Sequence, residues 1–79
     1  MSVKEIYYLG DDDSNGIGVV ATSEAQARQF GEIWLETVET VAVHSVDDLI
    51  DVDGDIRSAE EWADSADVGT QIYCSWYFA

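Results

Sequence analysis

His44 and Cys74 are the only histidine and the only cysteine in the 79-residue chain. Any nucleophile activated by an imidazole must therefore be built on His44. A Ser–His or Cys–His arrangement needs the base within hydrogen-bond reach of the hydroxyl or thiol. His44 falls at a predicted strand end. Cys74 falls on the predicted inward face of another strand, where a thiol acts as a small hydrophobe. Carboxylates are abundant, but acid–base chemistry needs two groups whose environments push their pKa values apart. A crowd of acids in polar sequence does not supply that. There is no glycine-rich loop of the kind that cradles a phosphate. The pattern predicts no catalysis and no cofactor, with structural roles for His44 and Cys74.

Calcium is the next chemistry to weigh. Asp51-Val52-Asp53-Gly54-Asp55 matches the first five positions of an EF-hand loop, and Asp11, Asp13, Asn15 and Gly16 match positions one, three, five and six. Both matches then fail. In the first loop the sharp-turn glycine position holds Ile56 and the bidentate glutamate position holds Trp62. In the second loop the glutamate position holds Thr22, and the segment runs into a predicted strand. Calcium takes six to eight oxygens in a closed cage. The expectation is weak cation binding at most and no dedicated metal site. Asn-Gly and Asp-Gly read instead as turn chemistry.

What remains is charge. The chain carries 17 acidic residues against 3 Lys and Arg, a formal net charge of −14. Phosphate contacts need Lys and Arg, so direct nucleic-acid binding is excluded as a function class. Attraction to an anionic membrane is excluded for the same reason. From Ser45 to Asp67 the acids are Asp47, Asp48, Asp51, Asp53, Asp55, Glu60, Glu61, Asp64 and Asp67, against Arg57 alone. Glu32 and Glu36 add a like-charged pair four residues apart, which costs a helix a few tenths of a kcal/mol. Carboxylates about 5–6 Å apart on short helices would resemble a line of phosphates to a basic groove. The competing explanation is habitat, since acid-rich, lysine-poor surfaces also keep proteins dispersed in high salt. Clustering favours the first reading, because the 45–67 segment holds over half the acids.

Local pattern assigns these groups to strands, helices and turns. Val3–Leu9 and Ile17–Ala21 read as two strands of an antiparallel hairpin around Asn15-Gly16. Ser23-Glu24-Ala25-Gln26 is a capping box. Ala27, Phe30, Gly31 and Trp34 then mark one helix face. Val38–His44 alternates as a third strand. Ser45-Val46-Asp47-Asp48 and Ser58-Ala59-Glu60-Glu61 read as two more capping boxes, starting short helices over 46–51 and 59–66. Thr70–Phe78 alternates cleanly, with Ile72, Cys74, Trp76 and Phe78 on one face and Tyr73, Ser75 and Tyr77 on the other. The order β-β-α-β-α-α-β predicts an α+β fold, one domain over 1–79, with a mostly antiparallel four-stranded sheet and the helices on one face. The predicted core is Phe30, Trp34, Val41, Val43, Ile72, Cys74 and Trp76. If their face is open, Tyr73 and Tyr77 would anchor a partner or a second copy of the chain; if helices cover both faces, they are core.

One cysteine cannot form an internal disulfide, and the sequence shows neither a signal-peptide pattern nor a membrane-length apolar run. The expected location is the cytoplasm. On size, acidic excess, α+β order and the carboxylates of 45–67, the chain resembles in type the small acidic inhibitors of phages and mobile elements. These are the anti-CRISPR and anti-restriction DNA mimics, with acidic nuclease-immunity proteins close in mechanism. The resemblance carries no motif and transfers no residue. It implies a basic partner such as a Cas complex, restriction enzyme or nuclease, met inside a host cell. Without it, the residues define an acidic decoy for a basic protein surface, with the nine carboxylates as the contact and Glu32, Glu36, Tyr73 and Tyr77 secondary to them.

Overall fold

The computed structural model describes residues 3–11, 15–35 and 37–75. Asp13, Glu36, Trp76, Tyr77 and Phe78 lie outside the described residues, and with them the expectations placed on those five side chains. The fold is α+β, with a four-stranded antiparallel sheet and two helices.

The first two strands form the expected hairpin. β1 (Glu5–Gly10) pairs antiparallel with β2 (Gly16–Ala21), from Glu5 opposite Ala21 to Gly10 opposite Gly16. Asp11 closes the loop by accepting the Asn15 amide on Oδ1 at 3.0 Å. Ser23 caps α1 (Glu24–Trp34), its hydroxyl accepting the Gln26 amide at 3.2 Å. Gln26 reaches back one residue further than a capping box requires, accepting from the Thr22 amide at 2.7 Å. β3 (Thr40–Val43) lies beside β1, with Leu9 opposite Val41.

The chain then departs from the expected order. The predicted helix over 46–51 is instead a turn leading into β4 (Leu49–Val52), which pairs with β5 (Asp55–Ser58) as a separate hairpin. Asp53 and Gly54 form its corner with φ of 53° and 89°. Positive φ at both central residues is the two-residue turn that matches the twist of paired strands. The supposed capping box survives as a local turn: Asp48 Oδ2 accepts the Ser45 amide at 3.0 Å. No helix forms here because Leu49, Asp51 and then Ile50, Val52 alternate with a period of two, and tertiary packing selects Ile50 and Val52. The second capping box does start a helix, α2 (Ala59–Asp64), with Ser58 accepting the Glu61 amide. β6 (Gln71–Ser75) completes the sheet in the order β3-β1-β2-β6.

Both faces of this sheet are covered, which corrects the one-sided arrangement predicted from sequence. Tyr7, Leu9, Ile17, Val19 and Ala21 point toward α1 and pack with Ala27 and Leu35. Ile6 and Val20 point the other way and pack with Ile50, Ala59 and Ala63, under the β4–β5 hairpin and α2. Every residue of β2 is buried, as expected for a strand covered on both sides. Several residues of the predicted core therefore lie toward the edges. Phe30, Val41 and Ile72 only pack against the clusters from partly buried positions. Trp34 and Val43 are about half exposed, at 48% and 50%, and Cys74 is exposed. Trp34 fails as a core residue because Gly31, not Trp34, makes the close approach to Leu9 and Val38. Cys74 fails because β6 is an outer strand, paired with β2 across a register shift at Gly18/Val19. No helix among the described residues is long and apolar enough to cross a membrane.

Candidate functional site

The hairpin β4–β5 and the helix α2 form one layer over one sheet face, anchored from beneath by Ile50, Ala59 and Ala63. This layer carries all nine carboxylates singled out in sequence. Asp47 and Asp48 lie in the turn before β4. Asp51, Asp53 and Asp55 belong to the hairpin, Glu60, Glu61 and Asp64 to α2, and Asp67 to the segment after it. All nine are exposed. Glu32 is exposed on α1, on the opposite side of the sheet.

Local structure fixes several of these groups. Asp51 Oδ1 accepts the Gly54 amide at 2.8 Å, tying its carboxylate to the turn. Asp55 pairs with Arg57 at 2.9 Å, and the Arg57 guanidinium lies 5.0 Å from the centre of the Trp62 ring. Trp62 is held in turn by a hydrogen bond from its indole N–H to the Ile50 carbonyl at 3.0 Å. The one cation of the 45–67 segment is thus spent inside the layer. Lys4 donates to the Ala66 carbonyl at 2.8 Å and Arg28 to the Val38 carbonyl at 3.2 Å. Neither forms an ion pair with a carboxylate among the described residues.

The calcium reading of 51–55 does not match this geometry. A bidentate cage needs the loop to wrap around a central ion. Here Asp51 and Asp55 flank a tight reversal in antiparallel strands, and their oxygens are engaged by Gly54 and Arg57. No group of three or more His, Cys, Asp or Glu side chains is arranged for a metal among the described residues.

A feature that sequence reasoning missed joins the two outer strands of the sheet. His44, just past the end of β3, places Nδ1 3.1 Å from Asp48 Oδ2 and Nε2 2.6 Å from the Tyr73 hydroxyl on β6. With Asp48 as a carboxylate, Nδ1 carries a proton and donates to it; in the neutral imidazole Nε2 then accepts from the phenol. The rings meet edge to face, with centroids 5.8 Å apart. A carboxylate, an imidazole and a hydroxyl in line are the parts of a nucleophile relay. The hydroxyl here belongs to a half-buried phenol, however. Burial, reinforced by Tyr8 and Asp48, pushes Tyr73 up to about 12, which holds the proton on. The three groups tie the turn after β3 to β6. Tyr73 packs against the cluster beneath the acidic layer, so the covered-face alternative applies to it. The separations of 4 and 29 residues that link His44 to Asp48 and Tyr73 left no local signal in the sequence.

Comparison with protein-family models, with curated proteins and with solved structures finds no significant match. The reading of function rests on the chain's own residues.

Proposed function

We propose that this protein is a stoichiometric, non-enzymatic inhibitor that presents an acidic surface to a basic nucleic-acid-binding groove, in the manner of anti-CRISPR and anti-restriction DNA mimics. One observation carries the reading: nine exposed carboxylates share a single layer whose one basic residue, Arg57, is paired with Asp55, and which Lys4 touches only at the Ala66 carbonyl. Such a surface associates quickly with a positive groove, and the complex weakens as salt rises. Partners in this class are Cas complexes, restriction enzymes and nucleases, met in the cytoplasm of a host cell.

The test is competition. The protein is titrated into such a complex holding labelled nucleic acid, and displacement is followed. Neutralising Asp47, Asp48, Asp51, Glu60, Glu61 and Asp64 together should abolish displacement, while Asp53→Asn alone should change it little, since exposed rim charges each contribute little. A six-fold neutral variant that competes as well as the parent would refute the proposal. The second reading, a salt-adapted surface without mimicry, is favoured by Glu24, Glu32 and Glu39, which are exposed away from the acidic layer. It calls for a chain that displaces nothing and folds only well above physiological salt.

A further inference from the structure

Among the described residues, Leu49 and Ile56 are two of the most exposed large apolar side chains, at 74% and 59%. They are brought together by register. Leu49 lies opposite Ser58 and Asp51 opposite Ile56, so all four share the outward face of the hairpin. Leu49 and Ile56 are diagonal neighbours on it, within reach of each other at about 7–8 Å between backbones. Ile50 and Val52 take the inward face and pack on the core, while Leu49 and Ile56 belong to neither buried cluster. Asp51 sits on the same face, and Asp47 and Asp53 are exposed on the turns at either end of it, whereas Asp55 pairs with Val52 on the other face.

We propose that this face is the docking centre for a basic partner: Leu49 and Ile56 take up apolar side chains of a Lys- or Arg-rich segment, and the surrounding carboxylates select its charge. Charge complementarity decides the occupant. A second copy of this chain would bring another net −14 against the same ring of acids, whereas a basic amphipathic segment satisfies both the apolar pair and the carboxylates. Surface charge steers association, while affinity concentrates in a small desolvated apolar contact. The acidic layer supplies the first and the Leu49–Ile56 pair the second. The proposal rests on reading this layer as a ligand for a basic protein surface, and it adds to that reading a centre that charge alone does not provide.

Two synthetic peptides test it: a helical peptide with leucines on one face and arginines on the other, and a counterpart of equal charge with alanine for each leucine. Affinities are measured by calorimetry at physiological salt. The leucine peptide should bind the parent protein at least ten-fold tighter than the alanine peptide. Leu49→Thr with Ile56→Thr keeps strand-forming residues and should erase that preference while leaving the alanine peptide's affinity unchanged. Circular dichroism checks the fold, and Leu49→Thr alone serves if the double variant unfolds, with an expected loss of at least three-fold in the preference. Equal affinity of the two peptides for the parent, or a preference that survives in the variants, overturns the proposal. Self-association that sedimentation detects in the parent and not in the double variant also overturns it, in favour of a second copy. The two readings fail separately. If the six-fold neutral variant binds the alanine peptide as the parent does, the acidic-ligand reading falls; if neutralisation weakens that peptide but the leucine preference is absent, only the docking centre falls.

Discussion

Gly18 is the position where the sheet admits the Tyr73 ring. A Cβ there would overlap the ring carbons of Tyr73, and the ring cannot retreat without breaking its 2.6 Å bond to His44. Gly18→Ala should therefore destabilise the fold by about 1–3 kcal/mol, the range for overpacking, as read by urea denaturation. If stability is unchanged, the ring does not lie on the glycine. The phenol gives a second test. Its pKa is raised to about 12 in the folded chain from about 10 when unfolded, so the folded state holds the proton more tightly. That contribution is fully present below about pH 10 and is lost as pH rises toward 12. Tyr73→Phe should flatten the alkaline decline in stability across this window. Tyr7 is also raised, chiefly by burial, so some slope should remain. A decline of the same steepness in the variant would show that Tyr73 is not desolvated.

At the level of elements, the β1–β2 hairpin, the Ser23-capped helix and the α2 start were all readable, because each is announced by local chemistry: turn residues or a hydroxyl cap. The 46–51 segment misled because Ser45 and Asp48 do bond as in a cap, yet Leu49–Val52 is a strand. The contrary signal was present in Asp53-Gly54 between two alternating runs, a strong short-range hairpin marker. The second covered face was also legible, in β2, where Ile17–Ala21 carries no polar side chain to give to water. Leu9→Ala should cost about 2–5 kcal/mol as a core truncation. Half-exposed Trp34, which its helix face alone would place in the core, should cost about 1 kcal/mol on change to alanine. Thermal melts of the two variants decide it; equal losses would restore Trp34 to the interior. Calcium titration by calorimetry should show no saturable site tighter than about millimolar, the weak end for such loops. Micromolar binding lost in Asp51→Ala and Asp53→Ala would reverse the assignment of this turn. The nine acidic positions were readable as residues, but their common layer was not. That depends on Ile50, Ala59 and Ala63 seating two elements on one sheet face.

For the whole molecule the governing quantity is a net −14 on a body of 34 × 30 × 18 Å. Self-repulsion at that density is screened over about 10 Å at 0.1 M salt. The melting temperature should rise as monovalent salt goes from tens to hundreds of millimolar; a fall would show that repulsion is not the dominant electrostatic contribution. The strand order carries a further consequence, for the order of events as the chain is made. β1 and β2 can zip together as soon as their turn exists, yet β2 gains its other neighbour only when Ile17 meets Cys74 and Gly18 meets Tyr73. Until Gln71–Ser75 leaves the ribosome, one edge of an apolar strand stays open and His44 has no phenol to hold. Closing such long loops is slow relative to local pairing. The nascent chain should accordingly pass through an interval in which its most hydrophobic strand is its least guarded. Through that interval the early-made acids, which repel other copies, are its main protection against joining a neighbour.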